Sequence, residues 1–452
     1  MVSADNLNLD CLEIIFALLH ESDLVSVSLV SRSFLAGVIP RLYRTLAFKV
    51  NQTKRYPSII SPFASVVAHP NLASHVRNID LRAVPLSRVK THPQPEFISD
   101  CLKTIALCRN LVSFVCTPNV LPSFLAGLRE KSSLQHLRFN GTLIAKQATM
   151  LLDVPPLKSM VVETGSLDFV NVLPRWAARL KPSLTNLTLC HLKDLNDCVL
   201  ESTLSQLPRL TGLHIMGCPR IDHHSVLRLT SHTPNLESLA FTCWESARPL
   251  ETPRSTLPRL KHLCVDTHRT MATFETPPSW SNFIDITRSW SCKLTSVVFK
   301  LPEKWLIGEE FVEMLVDAHG SNLTRIALLN CVISSESIER ICKRCARLEY
   351  LAISIPKDIL PFVADLSHSK SLHTLSDASD AHSAKSVLSK REVESIMRKV
   401  PSLWRIVSDD RIWTVERGAY CQVDRGIDLE HERKKPPSIP WFMPPSTLAS
   451  LY

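Results

Sequence analysis

Cysteine and histidine are the residues through which this chain could do chemistry. Cys342 and Cys345 stand in a C-x-x-C spacing, half of a tetrahedral zinc site, and Cys190-His191, His223-His224 and Cys218 could supply further ligands or a Cys/His nucleophile pair. A structural zinc needs four ligands, and no second pair with matching spacing exists in the sequence. On one helical face with Ile338 and Ile341, the two thiols are better explained as small buried hydrophobes. A nucleophile pair needs a third orienting group and a shielded pocket, and the histidines are expected on loops facing solvent. Only 10 of 452 residues are Gly, no G-x-G occurs, and nucleophile-elbow, H-E-x-x-H and P-loop motifs are missing, which argues against dinucleotide sites and phosphate cradles. No catalytic residue, metal or cofactor is expected.

The elements that would position these residues repeat. Leu207 to Cys218, LPRLTGLHIMGC, carries a phrase P-x-L-x-x-L-x-φ, in which Leu213 and Ile215 alternate as on a strand with one buried face and Leu210 leads into it. Lead leucines recur at 111, 134, 157, 184, 210, 236, 260, 294, 323, 348 and 372, most steps being 23 to 29 residues, with 34 between 260 and 294. Between phrases the pattern turns helical, as at Phe124, Leu125 and Leu128, at Leu200, Leu204 and Leu207, and at Ile338, Ile341, Cys342 and Cys345. Pro155, Pro182, Pro208, Pro234, Pro258 and Pro401 each stand two residues before a lead leucine, where a helix must stop. One strand with one helical crossover cannot bury its own apolar face and must stack on its neighbours. The expected fold is therefore α/β, a right-handed solenoid with parallel strands on the concave face and helices on the convex face.

Strand positions flanking the inward residues would then form an interaction surface. Arg138, Asn140, Thr188, His214, Met216, Thr242, Asp266, Arg325 and Tyr350 are the candidate target-binding residues, with Ser238, Ala240, His262 and Cys264 on the same face. This floor is mostly small and weakly charged, suited to a protein partner and unlike a Lys/Arg-lined groove for nucleic acid. Net charge is +9 (52 Lys+Arg against 43 Asp+Glu), but the basic residues are scattered and the longest run is Arg433-Lys434-Lys435. The charge serves solubility, and no nucleic acid or membrane partner is expected. No basic leader precedes an apolar core at the N-terminus and no apolar run is long enough to span a bilayer, so the 14 Cys are expected as reduced thiols in a cytoplasmic or nuclear protein.

Residues 7 to 48 read as a separate helical unit. Leu12, Ile15, Phe16 and Leu19 make one apolar face of a first helix; Ser22 or Asp23 can cap a second, Ser31 or Ser33 a third, and Pro40 ends it. So small a core should leave apolar surface for a partner or for the following domain. Leu7, Asp10, Leu12, Ile15-Phe16, Leu19, Asp23-Leu24, Leu29-Val30-Ser31-Arg32, Phe34, Pro40 and Leu42-Tyr43-Arg44 resemble an F-box. The family's proline after the first leucine is Asn8 here, and Asp10 stands for its usual Glu. The phrases at 210 to 236 and 323 to 348 are similar to cysteine-containing leucine-rich repeats, in which Cys218 and Cys331 would follow the strand and Cys345 would close the helix.

The resemblance implies a substrate-recruiting subunit of a Skp-cullin-F-box ubiquitin ligase, with Leu7, Asn8, Leu12, Ile15, Phe16, Leu19, Leu24, Leu29 and Val30 meeting the Skp adaptor. The alternative is a stand-alone repeat scaffold with a degenerate F-box. The expected domains are a helical cap over 1–48, a linker and irregular first repeat over 49–100, repeats over 101–416, and a polar, proline-rich tail over 417–452, extended or partly disordered. Leu46, Phe48 and Val50 alternate as a first strand, Ile412, Trp413 and Val415 as a last one, and Trp280, Phe283 and Trp290 mark an insertion, residues 267–292, whose aromatics either pack over the edge of the repeats, the preferred reading, or are presented to a partner.

Overall fold

The computed structural model of the chain describes residues 8–19, 21–87, 92–244, 256–268, 276–378, 388–409, 411–415, 429–433 and 440–444. Its first elements are three short helices, α1 (Leu9–Phe16), α2 (Glu21–Ser28) and α3 (Arg32–Leu42). Leu12 and Phe16 from α1, Leu24 from α2 and Val38 from α3 close a small core, with Phe34 set edge-on to Phe16 at 5.4 Å. Gly37 lets α3 approach α1 this closely, since a Cβ there would stand 3.0 Å from the Phe16 ring and 3.2 Å from Leu12. Ser31 caps α3 by accepting from the Phe34 amide at 3.2 Å. Two expectations shift. The second helix begins at Glu21, ahead of Ser22 and Asp23, and α3 runs on past Pro40 to Leu42. A proline in the last turn forfeits one backbone bond, and the Tyr43 amide still reaches the Ile39 carbonyl at 3.0 Å.

The remainder is a strand–helix array, and the chain divides into two compact units between Arg209 and Leu210. In the first, the described strands are β1 (Thr45–Phe48), β2 (Asn78–Leu81), β3 (Ser113–Cys116), β4 (His136–Gly141), β5 (Ser159–Gly165) and β6 (Asn186–Cys190). They pair in parallel and in sequence order, first residue against first residue, from Thr45↔Asn78 to Ser159↔Asn186. In the second unit the parallel ladder comprises β7 (Gly212–Met216), β8 (Ser238–Trp244), β9 (His262–His268), β10 (Ser296–Leu306), β11 (Arg325–Val332), β12 (Tyr350–Ile353), β13 (Thr374–Asp377) and β14 (Arg405–Ser408). The antiparallel β15 (Arg411–Val415) and β16 (Leu429–Arg433) follow. Only Leu429 of β16 is buried, and its charged residues Glu430, Glu432 and Arg433 blunt an otherwise sticky edge.

The repeat phrase explains this ladder. Each of the eleven lead leucines is at most 1% exposed, and the alternating residues that follow it, such as Leu213 and Ile215 on β7, are buried with it. Helices such as Leu121–Arg129, Asp197–Leu204 and Ser335–Arg344 bury Phe124 and Leu128, Leu200 and Leu204, and Ile338 and Ile341 respectively. Repeating strands in register, each followed by a helix, form a leucine-rich-repeat arrangement within each unit.

Several expectations change in detail. Val50 is exposed and opens a short helix, Val50–Thr53, rather than ending β1. Within residues 49–100, expected as a linker and irregular first repeat, β2 pairs in register with its neighbours. Cys331 lies within β11, which continues to Val332 because β10 extends to pair with it. The expected insertion is an ordinary repeat helix, Pro278–Ser289, whose Trp280 donates to Thr267 Oγ1 at 2.8 Å and packs on Phe299 and Phe311; residues 269–275 lie outside the described residues. Among the described residues of the expected tail, 429–433 form β16, and Phe442 and Met443 are buried. Among the described residues no helix is long and apolar enough to cross a membrane.

Candidate protein-interaction surfaces

Most of the residues that could have done chemistry are built into the core. Cys342 and Cys345 are buried, and burial pushes both thiols up to about 12, so they stay protonated at neutral pH. His223 does not face solvent on a loop as expected. It sits in the first turn of the helix His223–Leu229, edge-on to Phe283 at 5.7 Å, where burial and then the neighbouring His224 lower its pKa to about 4. Cys190 and Cys218 are buried, while His191 turns out to solvent at a left-handed φ of 55°. Among the described residues no group of three or more His, Cys, Asp or Glu side chains could hold a metal ion.

The cap presents the first surface. Of the residues expected to meet an adaptor, Asn8, Ile15, Leu29 and Val30 are exposed, Leu19 packs at the margin of the cap core, and Leu7 lies outside the described residues. Leu12, Phe16 and Leu24 are corrected, being core residues. The periodic stripe of a short helix cannot serve two partners at once, and a three-helix unit needs it for its own closure. Apolar residues off that stripe face outward instead: Ile14, Leu18 and Val25 join Ile15, Leu29 and Val30, with Leu35 on α3. Sequence periodicity passed over Ile14, Leu18, Val25 and Leu35 because it selects the residues in phase. Their legible mark was being apolar out of phase.

The strand face turned away from the helices is the second. In the first unit, Arg138 reaches Glu163 at 2.5 Å, Asn140 accepts from the Thr142 amide at 2.9 Å, and both remain partly exposed, whereas Thr188 is fully buried. In the second unit, Arg325 stacks 3.7 Å above the Tyr350 ring, both partly exposed. His214, Met216, Thr242 and Asp266 differ from the expectation of an open floor, being at most 8% exposed. Thr242 accepts from the Gly217 amide at 2.7 Å, and Asp266 lies 3.5 Å from Lys300 and 3.4 Å from His268.

Part of that burial comes from the tail. The Phe442 ring lies 6.0 Å from the His214 ring, and the Phe442 carbonyl accepts from His262 Nε2 at 3.0 Å. A carbonyl can only accept, so His262 carries its proton on Nε2, and Nδ1 accepts from the Ser296 hydroxyl at 2.9 Å. His214 Nε2 pairs with Ser238 Oγ at 2.9 Å. Burial is the main cause that lowers His214 to about 3 and His262 to about 4; at His262 the Phe442 carbonyl opposes the shift and Arg325 adds to it, and both rings are neutral at physiological pH. Lys300 Nζ stands 4.7 Å from the centre of the Trp441 ring. The sequence carried a mark of this contact, an apolar triplet Trp441-Phe442-Met443 between prolines in a polar tail.

No protein-family model matches the chain, and no curated protein matches it in sequence. Solved structures with a similar fold include a chain of the yeast Rad7 and Elc1 complex, at 14% identity and TM-score 0.43, covering 84% of this chain and 91% of that one. An internalin from Listeria monocytogenes is similar at 14% identity and TM-score 0.33, over 83% of this chain and 94% of that one. The leucine-rich-repeat-containing protein LegL7 from Legionella pneumophila is similar at 13% identity and TM-score 0.37, over 68% of this chain and 95% of that one.

Proposed function

We propose that this chain is the substrate-recruiting subunit of a Skp-cullin-F-box ubiquitin ligase, docking a Skp-type adaptor, and through it the cullin, with the outer side of its helical cap. The strand face of the repeats holds a protein target. The observation that carries the proposal is the cap surface: Ile14, Leu18, Val25, Leu29 and Val30 are between 53 and 83% exposed around a core that is already closed. A unit that has satisfied its own core and still shows this much apolar surface is suited to being covered by a partner. The spaced residues resembling an F-box say which kind of partner. The chain performs no bond chemistry; it contributes proximity between a target and the ubiquitin-loaded component.

A stand-alone repeat scaffold is the alternative, favoured by Asn8, exposed at the start of α1 where the family carries proline. Retention on immobilised purified Skp adaptor separates the two. The intact protein should be retained, and Leu18→Asp combined with Leu29→Asp should abolish retention while leaving thermal unfolding unchanged. Absence of retention by the unsubstituted protein would leave only the scaffold.

A further inference from the structure

The strand face of the second unit carries a guest that the repeats do not account for. By register, Ser238, His262 and Ser296 form one row across β8 to β10; His214, Ala240, Cys264 and Val298 form the next across β7 to β10; and Thr242, Asp266 and Lys300 form a third. Phe442 bridges the first two rows diagonally, its ring beside His214 on β7 and its carbonyl on His262 of β9. The strand between them offers only Ser238 and Ala240 there, so the floor beneath the ring is low. Trp441 takes up the third row, its ring under Lys300, whose Nζ also lies 3.5 Å from Asp266. The guest keeps a turn of its own, the Met443 amide bonding to the Pro440 carbonyl at 3.1 Å, and Phe442 and Met443 are each 6% exposed.

A fixed N–H donor for one backbone carbonyl, a shallow seat for a ring and a cation for a second ring are the means by which short peptides are recognised. We infer that this patch is a binding site for a proline-flanked peptide carrying paired aromatic residues, and that the chain's own residues 440–444 occupy it until a target segment of the same chemistry displaces them. The inference deepens the proposed function by naming the class of target, and it rests on that proposal only in calling the displacing peptide a target. A segment tethered through the short stretch 434–439 acts at an effective concentration on the order of millimolar, so a peptide added in trans meets a strong competitor in the intact chain.

The test uses two opened proteins, the chain ended after Arg433 and the full chain carrying Trp441→Ala and Phe442→Ala. The probe is a fluorescent synthetic peptide of residues 436–448, with a control peptide in which both aromatic residues are Ala. The opened proteins should bind the probe at least about tenfold more tightly than the intact chain and ignore the control, and either of them doing so supports the site. Lys300→Gln in an opened protein should weaken binding about two- to fivefold. If neither binds the probe better than the intact chain, including where the shortened chain loses its helical circular dichroism, residues 440–444 are part of the fold and the inference falls. Adaptor retention measured on the same proteins separates the two ideas, because probe binding needs no adaptor and adaptor retention needs no probe.

Discussion

His262 is held neutral by its surroundings: fully enclosed, it faces Ser296 on one nitrogen and the Phe442 carbonyl on the other, with the positive charge of Arg325 nearby. His214, one row away, is enclosed beside Ser238 and Phe442. Folded-state values of about 4 and about 3 lie below the ordinary 6.5, so the unfolded chain takes up protons on these rings before the folded one does. Their contribution is complete above pH 6.5 and is lost as pH falls from there toward the folded values. Near pH 5 the loss is on the order of 2 kcal/mol for each ring. Thermal unfolding followed between neutral pH and about pH 5 should therefore show a falling midpoint, and His214→Gln with His262→Gln should flatten the fall. An unchanged midpoint in the unsubstituted protein would contradict the enclosure described for both rings.

At the scale of elements, the cap divides its apolar residues between two tasks. Leu12, Phe16, Leu24 and Val38 make a core barely large enough to close, and the residues out of phase with it stay outside. Phe16 is the largest of that core and touches both Phe34 and the backbone side of Gly37. Phe16→Ala should cost about 3–5 kcal/mol, more than so small a unit holds in reserve. Amide hydrogen exchange should show 8–42 losing protection in that variant while the lead-leucine strands keep theirs. The same reasoning makes Phe16 unsuitable for probing the adaptor surface, since any loss of binding would report an unfolded cap.

At the scale of the whole molecule, stability is distributed by neighbours. Within each unit the described strands pair with their sequence neighbours, as β12 does with β11 and β13, so an array of this kind approximates a sum of repeat terms and nearest-neighbour terms. Leu351→Ala on β12 removes a fully buried side chain and should cost about 2–5 kcal/mol. Exchange protection should fall most at β11 and β13, its direct partners, and least at β3 and β4. A uniform loss across all strands would show that the chain behaves as one cooperative body instead.

The eleven lead leucines, the alternation after each and the prolines before many of them were enough to determine the strand–helix alternation and the register of the strands, because burial of a period-two face leaves no freedom to slip by one residue. The same pattern could not say which cap residues stay outside. A helical stripe marks what is apolar in phase, and whether that stripe closes a core or meets a partner depends on how α1, α2 and α3 cross. Nor could it place the tail, since His262 and Phe442 are 180 residues apart in sequence and nothing local links a carbonyl to an imidazole at that distance. That contact exists only because parallel stacking brings His214, Ser238, Ala240 and His262 onto one shallow seat, a surface no stretch of the chain contains by itself.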